Sequence, residues 1–312
     1  MITLLKFSAG VALLLFGMQF MKTGLENVAQ RRMRSTLQTL TRTPLTGALA
    51  GTVITALVQS STAVTVITIG LVNAGIISFY QAVGIVLGTN IGTTVTAQLI
   101  SFRFEDLALP AIGLGAIIMT WSRRKGWRYL GQSIVGFGIV FLGIATMSHA
   151  LTPMKDSPLF LRALSAMSVS PLLGVLAGTV FTALIHSSGT TTGVVIALAH
   201  QGMIDLPAAI AVIFGSNIGT CITGVIASIG SSVNAKRVAV SHVMLNVIGV
   251  LLFLPFLSPF SAQIARTDPV LARQVANAHT VFNIISSVVV LPFARQFANL
   301  IVKMVPGGNR CD

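Results

Sequence analysis

The chain has 312 residues, of which 54% are hydrophobic and only 9% charged, and its mean hydropathy is +0.87. Soluble domains average about 25% charged residues, so a water-facing globule is excluded and most of this surface suits lipid. A formal charge of +13 would point to nucleic acid if the basic residues formed one patch, but they fall in short runs between apolar stretches.

Apolar stretches lie at 2–24, 45–74, 79–101, 106–121, 128–150, 171–203, 206–230, 236–257 and 277–301. The first carries Lys6 and no small-residue cleavage site follows it, so it reads as a retained transmembrane helix. The stretches 45–74 and 171–203 are too long for one crossing: as straight helices they would run about 45 Å or more against a hydrocarbon core of about 30 Å. Each is also broken near its middle by a polar cluster, Gln59-Ser60-Ser61-Thr62 in one and His186-Ser187-Ser188-Gly189 in the other. Folded back there, arms of about 14–16 residues reach about 21–24 Å, past the midplane and out again. Both are predicted to be re-entrant helical hairpins. Of the two cysteines, Cys221 lies inside an apolar segment, and with Cys311 it supports neither a disulfide framework nor a zinc site.

The two long stretches are also copies of each other. Residues 44–101 align with 171–228 at a constant offset of 127 without a gap, and 26 of the 58 pairs are identical. PLTGALAGTVITALVQSS lies over PLLGVLAGTVFTALIHSS, and GTNIGTTVT over GSNIGTCIT. Shared apolar composition would not hold Gly, Asn, Thr and Ser in register. FGMQF at 16–20 echoes FGIVF at 137–141, and near the C-terminus SHVMLNVIGVLLFLPF (241–256) echoes AHTVFNIISSVVVLPF (278–293).

With the other stretches crossing once, one face of the membrane holds Lys22, Arg31, Arg32, Arg34, Arg42, Arg123, Arg124, Lys125, Arg128, Lys236, Arg237, Arg295, Lys303 and Arg310, and the other Lys6, Arg103, Lys155, Arg162, Arg266 and Arg273. Fourteen against six makes the first face cytoplasmic, with the N-terminus outside and the C-terminus inside. Each repeat then contains three crossings, an odd number, so the second is inverted relative to the first. The fold class expected is an all-α polytopic membrane protein of two inverted-topology repeats, each with a re-entrant hairpin. The first repeat is placed at 1–127 and the second at 128–257, followed by a C-terminal helix and short cytoplasmic tail at 258–312.

Between Pro44 and Ser101 there is no Asp, Glu, Lys or Arg, and between Pro171 and Gly230 only Asp205, yet both segments are dense in hydroxyls. An unpartnered hydroxyl in hydrocarbon costs roughly 2–7 kcal/mol. Flanking threonines such as Thr68 are assigned to helix packing, where small hydroxyl residues let membrane helices approach. Ser60, Ser61, Ser187 and Ser188 are assigned to binding, because a second arm that starts at the serines turns free N–H groups and a positive dipole end toward the membrane centre. Asn90 and Asn217, within GTNIGT and GSNIGT, bring amide oxygens into the interior and are expected to serve a cation. Asp205 is read as an N-cap, and His242/Asn246 and His279/Asn283, each four apart, as interhelical hydrogen-bonding pairs.

These paired Q-S-S and G-x-N-I-G-T elements resemble the type II sodium-phosphate cotransporter family. The resemblance covers about 58 residues of each half directly. It implies a phosphate site near the membrane centre with sodium sites beside it, built from Gln59, Ser60, Ser61, Thr62, Asn90, Thr93, His186, Ser187, Ser188, Asn217 and Thr220. Sodium ligands are expected among Gln59, Ser61, Asn90, Ser188 and Asn217. The implied activity is sodium-dependent symport of inorganic phosphate across the cell membrane, without a catalytic residue or an organic cofactor. Two departures stand out: His186 where the family repeats glutamine, and Thr62 and Gly189 where a third serine often follows. Some bacterial members carry a regulator-like cytosolic domain; with this chain ending at Asp312, such control is expected from a separate protein. The partners implied are phosphate, sodium, the lipid bilayer, that regulator and further copies of the chain. The alternative is a sodium- or proton-coupled carrier of another small anion. An intramembrane hydrolase using Ser187 and His186 is disfavoured, since adjacent helical residues point about 100° apart.

Overall fold

The computed structural model describes residues 2–41, 43–154 and 157–307, which are helical throughout with no strand among them. Among the described residues, six helical stretches are long and apolar enough to cross a bilayer: Ile2–Ala29, Phe79–Ile100, Lys125–Leu151, Leu206–Ala227, Val233–Ile264 and Leu271–Met304. The chain is an all-α, multi-pass membrane protein. Lys155, Arg42 and Arg310, which enter the charge count, and Cys311 lie outside the described residues.

Helix α1 (Ile2–Leu40) runs far past the apolar stretch that ends near Gly24, because the residues that follow are polar but good helix formers. It packs antiparallel on α6 (Lys125–Leu151), with Gly10, Gly17 and Gly24 seated against the backbone of Gly143, Gly136 and Tyr129. Between them in sequence come α2 (Pro44–Val58), α3 (Ser61–Asn73), α4 (Phe79–Ile100) and α5 (Glu105–Trp121). After α6 follow α7 (Pro158–Val169), α8 (Pro171–Ile185), α9 (Ser188–His200) and α10 (Leu206–Ala227). Helix α7 lies outside the apolar stretches, and Ser157 at its N-cap with Pro158 in its first turn marks its start.

The sequence repeat is reproduced in how each half packs its paired helices. Helix α2 lies on α4 and α8 on α10, each pair closed by a glycine so tight that a Cβ on Gly88 would stand 2.0 Å from the Ala48 carbonyl oxygen, and one on Gly215 2.0 Å from that of Val175. Thr52 Oγ1 donates to the carbonyls of Ala48 (2.8 Å) and Gly88 (3.2 Å); Thr179 Oγ1 donates to those of Val175 (2.8 Å) and Gly215 (3.1 Å). At the start of α4, Ser78 Oγ accepts from Gln81 N at 3.3 Å, and at the start of α10 Asp205 Oδ1 accepts from Ala208 N at 2.9 Å, so Asp205 is an N-cap.

The C-terminal echo is structural as well. Helices α11 (Val233–Phe253) and α13 (Leu271–Val290) each end in a 3₁₀ turn at Leu-Pro-Phe, followed by α12 (Leu257–Ile264) and α14 (Ala294–Met304). A proline removes one backbone donor and closes off the α-helical ladder, which places the break in both copies.

Candidate functional site

Each broken stretch is two helices of 15 and 13 residues joined at the polar cluster, about 22 and 20 Å long, short of a full crossing. The break is made by one residue in the left-handed region: Gln59 at φ 58° and His186 at φ 57°, the two non-glycine residues with positive φ among the described residues. A side chain there costs about 1–2 kcal/mol, so the turn is held by something else. Gln59 Oε1 accepts from Thr96 Oγ1 at 2.8 Å and its Nε2 donates to the carbonyl of Ala56. His186 Nδ1 lies 3.3 Å from Thr223 Oγ1, the counterpart of Thr96, so histidine takes over the tether.

After each break a serine caps the next helix. Ser60 Oγ accepts from Ala63 N at 3.2 Å, and Ser187 Oγ from Thr190 N at 3.3 Å and Thr190 Oγ1 at 3.0 Å. These caps leave the N–H groups of Ser61 and Thr62, and of Ser188 and Gly189, without an intrahelical partner.

The two tips meet at one small polar cavity of about 10 Å³, lined by Gln59, Ser61, Thr62, His186, Ser187, Ser188 and Gly189 from the tips, Thr93 and Thr96 from α4, Thr220 from α10 and Lys22 from α1. That is room for about one water and far too little for a tetrahedral oxyanion. Its hydroxyls differ from others in the bundle. Thr68, Thr89, Thr94, Thr146 and Thr192 each donate back to a carbonyl three or four residues earlier. Among the described residues, Ser61, Thr62, Thr93, Ser188 and Thr220 form no side-chain hydrogen bond. Five free hydroxyls and two helix N-termini therefore face one space, with no acid among the lining residues.

The expected residues are thus brought together in part. Gln59, Ser61, Thr62, Thr93, His186, Ser187, Ser188 and Thr220 share the cavity, whereas Ser60, Asn90 and Asn217 do not line it. Asn90 Oδ1 accepts from His242 Nε2 at 3.1 Å and Asn217 Oδ1 from His279 Nε2 at 3.2 Å; an amide oxygen only accepts, which fixes the proton on Nε2 of both histidines. Asn90 Nδ2 also donates to Asn246 Oδ1 at 3.1 Å. Both amide oxygens expected at a cation accept from histidines of neighbouring helices, because the C-terminal echo sets His242 against Asn90 and His279 against Asn217. Serine at position 60 likewise has its hydroxyl oxygen engaged in the cap.

Lys22 was missed. It was counted with the cytoplasmic-side charges, and the region around the tips was expected to lack Lys and Arg, yet its side chain lines the cavity. Its place in the four-residue series Leu14, Met18, Lys22, whose first two members meet Gly193 and Gly189 of α9, is the signal, and it has meaning only once α1 is set against α9.

The profile of the Na+/Pi-cotransporter family matches residues 13–149 and 155–266. The chain belongs to this family. The Na+/Pi-cotransporter family is one of transporters, and its phosphate cargo accords with the hydroxyl-lined cavity between the two tips. Among relatives, YqeW of Bacillus subtilis, an uncharacterized protein, is 35% identical over 269 residues, covering 86% of this chain and 87% of YqeW. The protein named "Putative inorganic phosphate export protein YjbB" of Salmonella typhimurium is 29% identical over 262 residues, 84% of this chain and 48% of that protein. The chain therefore spans about half the length of YjbB. Sodium-dependent phosphate transport protein 2B of Homo sapiens is 32% identical over 153 residues, 43% of this chain and 22% of that protein. No solved structure is detectably similar.

Proposed function

We propose that this member of the family carries inorganic phosphate across the cell membrane in symport with sodium, the anion being held between the two hairpin tips. The observation that carries the reading is the set of five hydroxyls without an intramolecular partner, converging with two capped helix N-termini on one cavity. Hydroxyls donate to an oxyanion and present lone pairs to a cation, so one lining serves both ions. Free N–H groups at helix starts favour negative charge.

The hairpins are read as re-entrant from opposite faces, the first from the cytoplasm and the second from outside, with the N-terminus outside and the C-terminus cytoplasmic. Support comes from the charge bias and from the direction of α9, whose Gly189 meets Met18 and whose Gly193 meets Leu14, one turn nearer the N-terminus of α1. Each hairpin is fastened to its own partner helix by the Gly88 and Gly215 contacts, so α2 with α4 and α8 with α10 suit rigid units that part to admit phosphate. The direction of net flux in such a carrier follows the gradients imposed on it.

The hydrolase alternative finds little support: Ser187 Oγ is occupied by Thr190, and His186 Nδ1 faces Thr223. Radiolabelled phosphate uptake into proteoliposomes tests the reading. Uptake should rise with an inward sodium gradient and collapse when choline replaces sodium at fixed pH. Uptake that follows an imposed pH gradient without sodium would refute sodium coupling, and uptake of sulfate in place of phosphate would refute the cargo.

A further inference from the structure

Lys22 is out of place by ordinary membrane-protein energetics. A lysine within a membrane helix normally pairs with an acid or reaches the interface. The ion pair within 4.0 Å among the described residues is Arg273–Asp268, so Lys22 has none. Glu26 lies one turn further along the same face of α1, but not at ion-pair distance. The other lining groups of the cavity are Ser, Thr, Gln, His and Gly.

Its position follows from the packing of α1 on α9. A Cβ on Gly193 would stand 2.6 Å from Leu14 Cδ2, and one on Gly189 2.5 Å from Met18 Cε, so the two helices run side by side with matched steps of four residues. The next step along α1 is Lys22, while α9 has already begun at Ser188. The ammonium therefore stands just beyond the N-terminal end of α9. A cation, two helix N-termini and five free hydroxyls share the cavity, a collection in which each charge or dipole repels the others until an anion enters.

We propose that Lys22 is the fixed counter-charge of the transported anion, supplying a positive charge that would otherwise have to come from a bound sodium ion. This rests on the reading of the cavity as a phosphate site and adds a binding residue and a consequence for coupling. A divalent phosphate facing Lys22 needs one fewer sodium ion for neutrality than it would in a cavity without the lysine.

The test compares wild type with Lys22→Gln, Lys22→Met and Lys22→Arg in lipid nanodiscs. Binding of inorganic phosphate is measured over a range of sodium concentrations, with sulfate as a second probe and thermal unfolding recorded without anion. Lys22→Gln and Lys22→Met should lose about 10- to 150-fold in phosphate affinity, the range of a charged hydrogen bond, and their sodium dependence should steepen. Lys22→Arg should retain most of the affinity. Without anion, Lys22→Met should melt above wild type, because an unpaired cation has been removed.

Phosphate affinity within about threefold of wild type in Lys22→Met, with unchanged sodium dependence, would overturn the assignment. So would loss of folding in both neutral variants, which would make Lys22 structural. If wild type binds sulfate in place of phosphate and Lys22→Gln abolishes it, the phosphate reading falls and the counter-charge role stands. Binding of neither anion by wild type overturns both.

Discussion

Ser60 and Ser61 are neighbours in sequence with opposite duties, and separating them tests the site directly. Ser60 Oγ caps α3, whereas Ser61 Oγ has no partner and faces the cavity. Ser60→Ala should therefore lower stability by about 1 kcal/mol, the usual cost of a lost N-cap, with a small effect on affinity. Ser61→Ala removes no intramolecular bond, so its melting temperature should stay near wild type. It should lose one hydrogen bond to a charged ligand, about 1.5–3 kcal/mol, or about 10- to 150-fold in phosphate affinity. Ser188→Ala, the counterpart in the second repeat, should behave like Ser61→Ala. Thr68→Ala, whose hydroxyl returns to the Val64 carbonyl at 2.7 Å, should leave affinity unchanged. The assay is phosphate binding by isothermal calorimetry beside thermal unfolding of the same detergent-purified samples. If Ser61→Ala and Ser188→Ala bind phosphate as wild type does, the free hydroxyls are not ligands and the reasoning fails.

Asn90→Leu should destabilise strongly, at about 1–3 kcal/mol for each of the two buried groups it orphans, His242 Nε2–H and Asn246 Oδ1; a melting temperature equal to wild type would contradict the structural role. Gly88→Ala or Gly215→Ala should abolish folded, monodisperse protein, since the added methyl meets a carbonyl oxygen at 2.0 Å, whereas Gly113→Ala, with open space around its Cβ, should be neutral or slightly stabilising by size-exclusion and melting measurements. His186→Gln restores the first-repeat residue and should keep sodium-driven uptake, with loss of uptake marking His186 as the coupling group. Single cysteines at the exposed positions Arg124 and Lys236 should label from the cytoplasm and one at Arg266 from outside; labelling of Arg124 and Arg266 from one face would refute the topology.

The helical class was legible because lipid demands apolar runs, and the repeat because polar residues in register survive inside them. The breaks at Gln59 and His186 were legible too, since a run of 30 residues or more with a polar centre is too long for one crossing. What escaped had a nonlocal cause. Lys22 sits at the end of an apolar stretch, where hydropathy sees a flank; only the packing of α1 on α9 carries it to the cavity. For Asn90 and Asn217, spacing shows that an amide is buried without showing which residues face it. The His-x-x-x-Asn echo at 242–246 and 279–283 held the answer, but pairing 242 with 90 and 279 with 217 needs the tertiary fold. Helix α7 is apolar but only 12 residues long, too short to stand out as a crossing, while the far half of α1 is polar enough to pass under a scale tuned to lipid.

The two halves are alike where each hairpin joins its helix and unlike at the tips. The Thr52–Gly88 and Thr179–Gly215 contacts match to within about 0.1 Å, so each hairpin is joined to its helix in the same way. At the tips the match fails. Thr182 and Thr191 share a hydrogen bond at 2.6 Å in the second repeat, but the counterpart of Thr191 is Val64, which leaves the buried Thr55 Oγ1 with no partner. Gln59 is buried and His186 exposed, although both occupy the same backbone turn. Two identical inverted halves would make the inward- and outward-facing states equal in energy by symmetry. In such an arrangement, differences at the tips would lift that equality without loosening either unit, because the contacts that hold each hairpin to its helix lie away from them. An orphaned hydroxyl in one tip and an exposed imidazole in the other are such differences, so on the inverted-repeat reading proposed above a preference between the two states would come from side chains that the repeat does not share.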